Sequence, residues 1–286
     1  MDDRACGTAP GAVAFWGARA MMGPDRRSGD DFPWWLVILG GVALYLGWRV
    51  AVDDLYTQVF SIVSRGVGIT IFVTLVAFAL ASAWGLALAV ASMSRFILLR
   101  QLARLYVEVI RGVPILVLLL YIAFVGAPAL VVAINWVIEP LGFEPWRTRD
   151  LSLLWRAILA LMIGYSAFIA EVFRAGILSV DPGQIEAAKA LGLSGWQRFR
   201  LIIMPQAIRT ILPPLGNDFV ALIKDSSLVS VLGVADVTQL GKVYAAGSFR
   251  FLETYNIVAY IYLVLTVGLS LMLRKLEARL ARSDER

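Results

Sequence analysis

The side chains best placed to do chemistry are three charges inside a largely apolar segment, residues 210–235: Asp218, Lys224 and Asp225. At the centre of a membrane helix each such charge costs roughly 2.5–3.5 kcal/mol, so the segment is expected to face protein or a water-filled cavity. Two compatible interpretations stay open. In one, Lys224 pairs with Asp218 or Asp225 and holds helices together. In the other, the segment lines the path or gate of a polar solute, through Asp218, Lys224, Asp225, Ser226 and Ser227.

Several kinds of chemistry are excluded by residue content. The chain contains no histidine and a single cysteine, Cys6, so it has no histidine acid–base pair, no cysteine metal cluster and no intramolecular disulfide. It also lacks a G-x-x-x-x-G-K-[ST] loop, which would cradle nucleotide phosphates. These features argue against an enzyme and predict that the chain itself binds no cofactor and hydrolyses no ATP.

The elements that must position these charges are long apolar helices. Hydrophobic residues make up 59% of the chain and charged residues 16%, whereas a soluble domain usually carries about 25% charged residues. Residues 66–94, 112–138 and 254–273 contain no charge, and about 20 apolar residues suffice to cross a bilayer. Three weaker candidates lie at 34–52, 151–173 and 210–235. We therefore predict an all-α membrane protein with six transmembrane helices.

The distribution of basic residues orients these helices. With the N-terminus inside, the four inside segments hold 18 of the 26 Lys and Arg residues, the outside segments hold 5, and the spans hold the other three. Positive charge concentrates on the cytoplasmic side of membrane proteins. We therefore expect both termini in the cytoplasm, with residues 1–33 a disordered leader and residues 275–286 a tail. The same asymmetry accounts for the net charge of +5 without a nucleic-acid partner.

The longest inside segment between two spans, residues 174–209, carries signals for two short helices. Asp181 is a helix cap, Pro182 suits the first helical position, and Gln184 stands where a capping-box side chain reaches back. Gly192 is placed to stop this helix in a left-handed conformation. The segment either ties two spans together or docks a partner.

The second helix of this segment is predicted to begin with another capping box, Ser194 to Gln197. We expect it to end at about Ile203, because Met204 precedes Pro205 and a residue before proline is disfavoured in the helical region.

The spacing of this loop resembles the EAA signature of binding-protein-dependent ABC importer permeases. That signature reads E-A-A, three residues, G, nine residues, I-x-L-P; the chain matches it with Met204 in place of leucine. In the family this loop is the coupling helix, which docks into a cleft on the ATPase subunit. The resemblance implies that the coupling residues are Glu186, Ala187, Ala188, Gly192 and Pro205.

Three further segments are similar to the polar-amino-acid branch of this family: residues 107–114, 165–177 and 222–228. The resemblance covers residues 64–274 and implies a five-helix core, with spans at about 66–92, 113–138, 151–173, 209–234 and 254–273 and a coupling loop at 181–205. Helix 34–52 is then a peripheral addition without a transport role.

The implied partners are ATP-binding cassette ATPase subunits that bind ATP and Mg, a second permease (identical or related), a periplasmic solute-binding protein and a polar amino acid. The implied location is the bacterial inner membrane.

A secondary transporter or channel for a small polar solute is the alternative function. The sequence shows no internal repeat, whereas most carriers are built from paired repeats, and a carrier would leave the capped loop unexplained. Two charge pairs with three-residue spacing, Glu108–Arg111 and Glu171–Arg174, are predicted to be local ion pairs near helix ends.

Overall fold

The computed structural model describes residues 34–281 of the chain; the predicted leader 1–33 and the end of the predicted tail lie outside these residues. Two units are distinguished, residues 1–42 and 43–286. The described part of the first unit is helical from Trp34 onward. The helices are α1 Trp34–Val52, α2 Asp54–Val63, α3 Val67–Ser92, α4 Ile97–Gly112, α5 Ile115–Tyr121, α6 Ala127–Ile138, α7 Leu153–Leu178, α8 Pro182–Ala190, α9 Gly195–Arg198, α10 Met204–Asp225, α11 Val237–Ser248 and α12 Phe251–Ala281.

Short 3₁₀ and π segments join several of these helices. π turns at Ile122–Gly126 and Phe199–Ile203 connect α5 to α6 and α9 to α10, and a 3₁₀ segment, Ser226–Leu232, extends α10. Within residues 34–281 there is no β-strand, so the predicted all-α fold class is confirmed.

Four helical stretches are long and apolar enough to cross a membrane: Asp54–Ser92, Ile115–Leu141, Leu153–Leu178 and Phe251–Lys275. A shorter apolar helix covers Val37–Val52. The predicted span at 209–234 is occupied by α10 and its 3₁₀ extension, which are less apolar than these four stretches because α10 contains charges and three prolines. The six-span count therefore stays a prediction.

Two helices lie in segments between the predicted spans, 53–65 and 236–253, which the sequence indicated as outside connections without predicting a helix in them. These are α2 and α11, and the N-cap of α11 is the buried Asp236, which accepts hydrogen bonds from the Gln239 N–H at 2.8 Å and the Tyr262 hydroxyl at 3.1 Å. Burial raises the pKa of the Asp236 carboxyl, and these hydrogen bonds act in the opposite direction. Gly66 lies against the same corner: a Cβ there would be 2.4 Å from the Val237 nitrogen. The start of α3 is thereby held close to α11.

Helix α7 is the centre of the fold, packed against α3, α4, α5 and α10. Its glycines allow close approach, as small residues do between membrane helices. A Cβ on Gly164 would meet Ile115 of α5 at 2.5 Å, and one on Gly176 would meet Ile211 of α10 at 2.3 Å. Helix α7 therefore lies directly beside α5 at its middle and beside α10 near its C-terminal end, and both neighbours contribute to the site described below.

Arg156 fastens the start of α7 to its surroundings. Its guanidinium donates to the carbonyl oxygens of Leu151 at 2.8 Å, Ala123 at 3.3 Å and Thr148. Ala123 belongs to the first π turn, so one side chain joins α7, the preceding loop and the α5–α6 junction.

We expect Arg156→Ala to lower the free energy of unfolding by about 2 kcal/mol, since hydrogen bonds to a charged group contribute about 1.5–3 kcal/mol. Thermal unfolding of the detergent-solubilised protein measures the loss, with Arg149→Ala at an exposed neighbouring position as the matched control. An equal effect of both substitutions would show that Arg156 has no special role.

Candidate functional site

Helix α8 forms as its local signals predict. The Asp181 carboxylate caps it by accepting the Gly183 N–H at 2.6 Å, Pro182 opens it, and Gly192 follows it in the left-handed region with φ 76°. The capping box of the next helix is also confirmed: the Ser194 N–H donates to the Gln197 side chain at 2.8 Å, and the Gln197 N–H donates to the Ser194 hydroxyl at 3.3 Å. The two short helices of the loop, α8 and α9, are therefore held by caps within the loop itself.

The side chains of α8 are mostly exposed. Ala188 is its one buried residue, whereas Glu186 and Ala187 are open to solvent. The Glu186 carboxylate makes no hydrogen bond or ion pair with any described residue. Leu191, just beyond the helix, is 81% exposed. This loop presents a free carboxylate and small or apolar side chains on one rigid turn.

The second helix does not end at Ile203, and that prediction was wrong. Met204 is helical with φ −61° and ψ −45°, and its N–H donates to the Phe199 carbonyl five residues back. The wider π turn accommodates Pro205, whose ring would clash with a carbonyl in a regular α-helix interior and whose nitrogen has no proton to donate. Residues 195–232 therefore form one continuous helical stretch, and Pro205 lies exposed just after its π turn.

Gln184 also departs from its predicted capping role. Its Oε1 accepts a hydrogen bond from Gln206 Nε2 at 2.6 Å, and the same Gln206 nitrogen donates to the Ile202 carbonyl at 3.0 Å. This side-chain bond joins α8 to α10 across 22 residues of sequence.

A cavity of about 550 Å³ lies where α4 ends, α5 begins, and α7 and α10 pass alongside. The distance of this cavity from the loop that carries α8 follows from the lengths of the helices. Tyr165 is 13 residues from the end of α7, and Asp218 is 14 residues from the start of α10. At 1.5 Å per residue, both side chains lie about 20 Å from that loop. The lining residues are Arg111, Gly112, Val113, Pro114, Ile115, Tyr165, Phe168, Asp218, Ala221 and Asp225.

The cavity contains charges of both signs. Asp225 Oδ2 accepts the Tyr165 hydroxyl at 2.7 Å, whereas the buried Asp218 Oδ2 has no hydrogen-bond partner among the described residues. The Arg111 guanidinium lies 5.7 Å from the centre of the Phe168 ring, close enough for a cation–π contact. The arrangement can bind a small molecule that carries both charges.

The candidate path residues are thus divided. Asp218 and Asp225 line one wall of the cavity, as their spacing of seven predicts. Lys224 is exposed and forms no ion pair with either aspartate, so the helix-stapling interpretation was wrong. Ser226 is buried and donates to the Ile223 carbonyl at 2.7 Å, and Ser227 is half-buried. Neither serine nor Lys224 lines this cavity, and their role in a path stays a prediction.

Of the two predicted ion pairs, one is formed. Arg174 Nη2 lies 2.6 Å from Glu171 Oε2, whereas Glu108 and Arg111 are not joined within residues 34–281, because Arg111 turns toward Phe168. The sequence did not predict Tyr165 and Phe168 as cavity residues. Helix α7 is apolar on most faces, so no periodicity indicated which side would meet α10.

Long apolar helices, with a polar cavity among them and a capped helical loop, define a multi-pass membrane protein. The chain belongs to the family described as binding-protein-dependent transport system inner membrane component, whose model matches residues 81–282. It is therefore a permease subunit of an ABC importer.

Curated relatives and solved structures agree with this family. A probable amino-acid permease protein of Bacillus subtilis, YxeN, is 37% identical over 74% of this chain and 88% of its own. The glutamine transport system permease protein GlnP of Escherichia coli is 42% identical over 63% of this chain and 75% of its own. The crystal structure of an amino acid ABC transporter with histidines matches with a TM-score of 0.65 and 37% identity, covering 78% of this chain and 95% of that one.

Proposed function

We propose that this ABC importer permease carries a polar amino acid across the bacterial inner membrane, and that the cavity beside Asp218 and Asp225 is part of its path. The observation that carries the proposal is the presence of charges of both signs around one small cavity. An amino acid presents an ammonium group and a carboxylate, and the two aspartates and Arg111 complement them. The relatives named for amino acids and glutamine support this choice of cargo.

The unpartnered Asp218 oxygen supports the same proposal. A buried polar atom without a hydrogen bond is costly, and such atoms call for an explanation in a native structure. An ammonium group of the cargo would supply the missing donor. Tyr165 holds Asp225 in place beside it, so the second carboxylate needs no reorganisation when cargo arrives.

The energy for transport comes, in this proposal, from a separate ATPase that binds ATP and Mg and docks on α8. Helix α8 is suited to docking because it is capped at its start, stopped by Gly192 and largely exposed. The free carboxylate of Glu186 would meet a basic group of the partner, with Ala187, Ala188 and Gly192 allowing close approach and Pro205 just after the π turn that follows.

The full importer would contain two permeases, identical or related, two ATPases and a periplasmic binding protein. ATP binding would close the ATPases, draw the α8 helices together and open the path toward the binding protein. Helix α8 and both termini would then lie on the cytoplasmic side, in agreement with the distribution of basic residues.

Purification of the tagged chain from membranes tests this assembly. We expect a nucleotide-binding polypeptide to co-purify, and the complex in proteoliposomes with its binding protein to take up radiolabelled glutamine or histidine only when ATP is supplied. Uptake that follows a proton or sodium gradient without a co-purifying ATPase would favour a secondary transporter instead.

A further inference from the structure

The joint between α8 and α10 has a feature that the family signature does not contain. Two glutamines, Gln184 and Gln206, meet side chain to side chain at 2.6 Å. Gln184 lies at the exposed start of α8, and Gln206 is half-buried near the start of α10. The same helix α10 carries Asp218 and Asp225 of the cavity.

The orientation of the Gln206 amide is determined by its two partners. Its Nε2 donates to the Ile202 carbonyl at 3.0 Å as well as to Gln184 Oε1. Were the amide turned over, its own oxygen would face the Ile202 carbonyl, and two acceptors would lie together. Gln206 is therefore a fixed donor that points at α8, and Gln184 is the acceptor that α8 presents to it.

The direct covalent route from α8 to α10 runs through the turn 191–194, which separates α8 from α9. Gly192 in this turn has the left-handed φ of 76°, and the Gly192 and Leu193 N–H groups donate to the carbonyls of Lys189 at 2.9 Å and Ala188 at 3.1 Å. This turn holds only the C-terminal end of α8. The glutamine pair attaches the other end of α8, so that α8 and α10 are joined at two points.

Helix α10 continues without interruption beyond this hydrogen bond. It runs from Met204 to Asp225, and its first turns are held against α7 where Ile211 packs on Gly176. Helix α10 therefore connects Gln206 directly to the wall of the cavity.

We propose that the Gln184–Gln206 hydrogen bond is a strut that transmits the movement of α8 to α10 and sets how much uptake results from each ATP hydrolysed. Both glutamines are positioning residues in this role, which rests on the proposed docking of the ATPase at α8. Because a single exposed hydrogen bond contributes only about 1 kcal/mol, its loss is expected to reduce uptake per ATP by about fivefold rather than to abolish it.

The test measures uptake of glutamine and release of phosphate by the purified complex in proteoliposomes. Gln206→Leu removes the donor and Gln184→Leu removes the acceptor, so both are expected to lose about fivefold of uptake per ATP while the ATPase still co-purifies. Gln206→Lys keeps a donor for the Gln184 and Ile202 oxygens and is expected to retain the ratio. Gln101→Leu, at an exposed glutamine of α4 without a hydrogen bond in the described chain, is the matched control.

Three results would overturn the strut: unchanged uptake per ATP in both leucine variants, an equal loss in Gln206→Lys, or an equal loss in the Gln101 control. Gln184→Leu, at an exposed position, keeps the test decisive if Gln206→Leu is poorly produced. Failure of the underlying coupling proposal has a different signature, since variants of Glu186 would then also transport normally.

Discussion

Glu186→Arg is expected to abolish ATP-driven uptake, by at least about 100-fold, while the permease still inserts and folds. The Glu186 side chain is exposed on α8 and makes no contact with charged described residues, so its replacement removes nothing that holds the fold together. A basic group of the ATPase that is complementary to this carboxylate would instead meet a like charge, which costs several kcal/mol across an interface. Co-purification of the ATPase and uptake in proteoliposomes measure the loss.

Glu144→Arg provides the matched control for this prediction. Glu144 is also an exposed glutamate, but it lies in the connection between α6 and α7, away from α8. We expect its variant to bind the ATPase and transport normally. Full uptake by Glu186→Arg, with the ATPase still bound, would contradict the assignment of α8 as the coupling helix.

The loop could be predicted from the sequence because its determinants are local. Asp181 caps through a backbone N–H two residues away, and Gly192 stops the helix through its own backbone conformation. The partner of Gln184 could not be predicted in this way, because Gln206 is 22 residues distant and is brought near by the π turn that also carries the helix through Pro205. A rule about the residue before proline describes regular helices and does not anticipate that wider turn.

The long helices were predicted from composition for an equally simple reason, since an uncharged stretch of about 20 residues has few alternatives. Composition does not tell which face of such a helix meets protein. The position of Tyr165 and Phe168 in the cavity therefore follows from the packing of α7 beside α10 and not from the sequence. Helix α11 was missed although its cap is local, because Asp236 accepts the N–H of Gln239 three residues later and this D-x-x-Q spacing is present in the sequence.

Asp218→Asn is expected to reduce uptake of glutamine by about 10- to 100-fold and to leave thermal unfolding unchanged or slightly raised. The buried Asp218 Oδ2 has no partner in the described chain, so replacing the charge by an amide removes a desolvation penalty and breaks no hydrogen bond to that atom. The cargo, by contrast, would lose a charge-assisted hydrogen bond to its ammonium group. Reduced uptake together with unchanged or raised thermal stability would show that Asp218 acts in recognition of the cargo and not in holding the fold together.

Asp54→Asn makes the same chemical change at an exposed residue of α2 and is expected to alter neither property. Asp225→Asn is expected to reduce uptake as well, but with some loss of stability, because Asp225 is the acceptor of the Tyr165 hydroxyl at 2.7 Å. Uptake by reconstituted complexes and thermal unfolding in detergent are measured on the same preparations. Normal glutamine uptake by both Asp218→Asn and Asp225→Asn would remove this cavity from the path, while leaving the coupling role of α8 to be decided by Glu186.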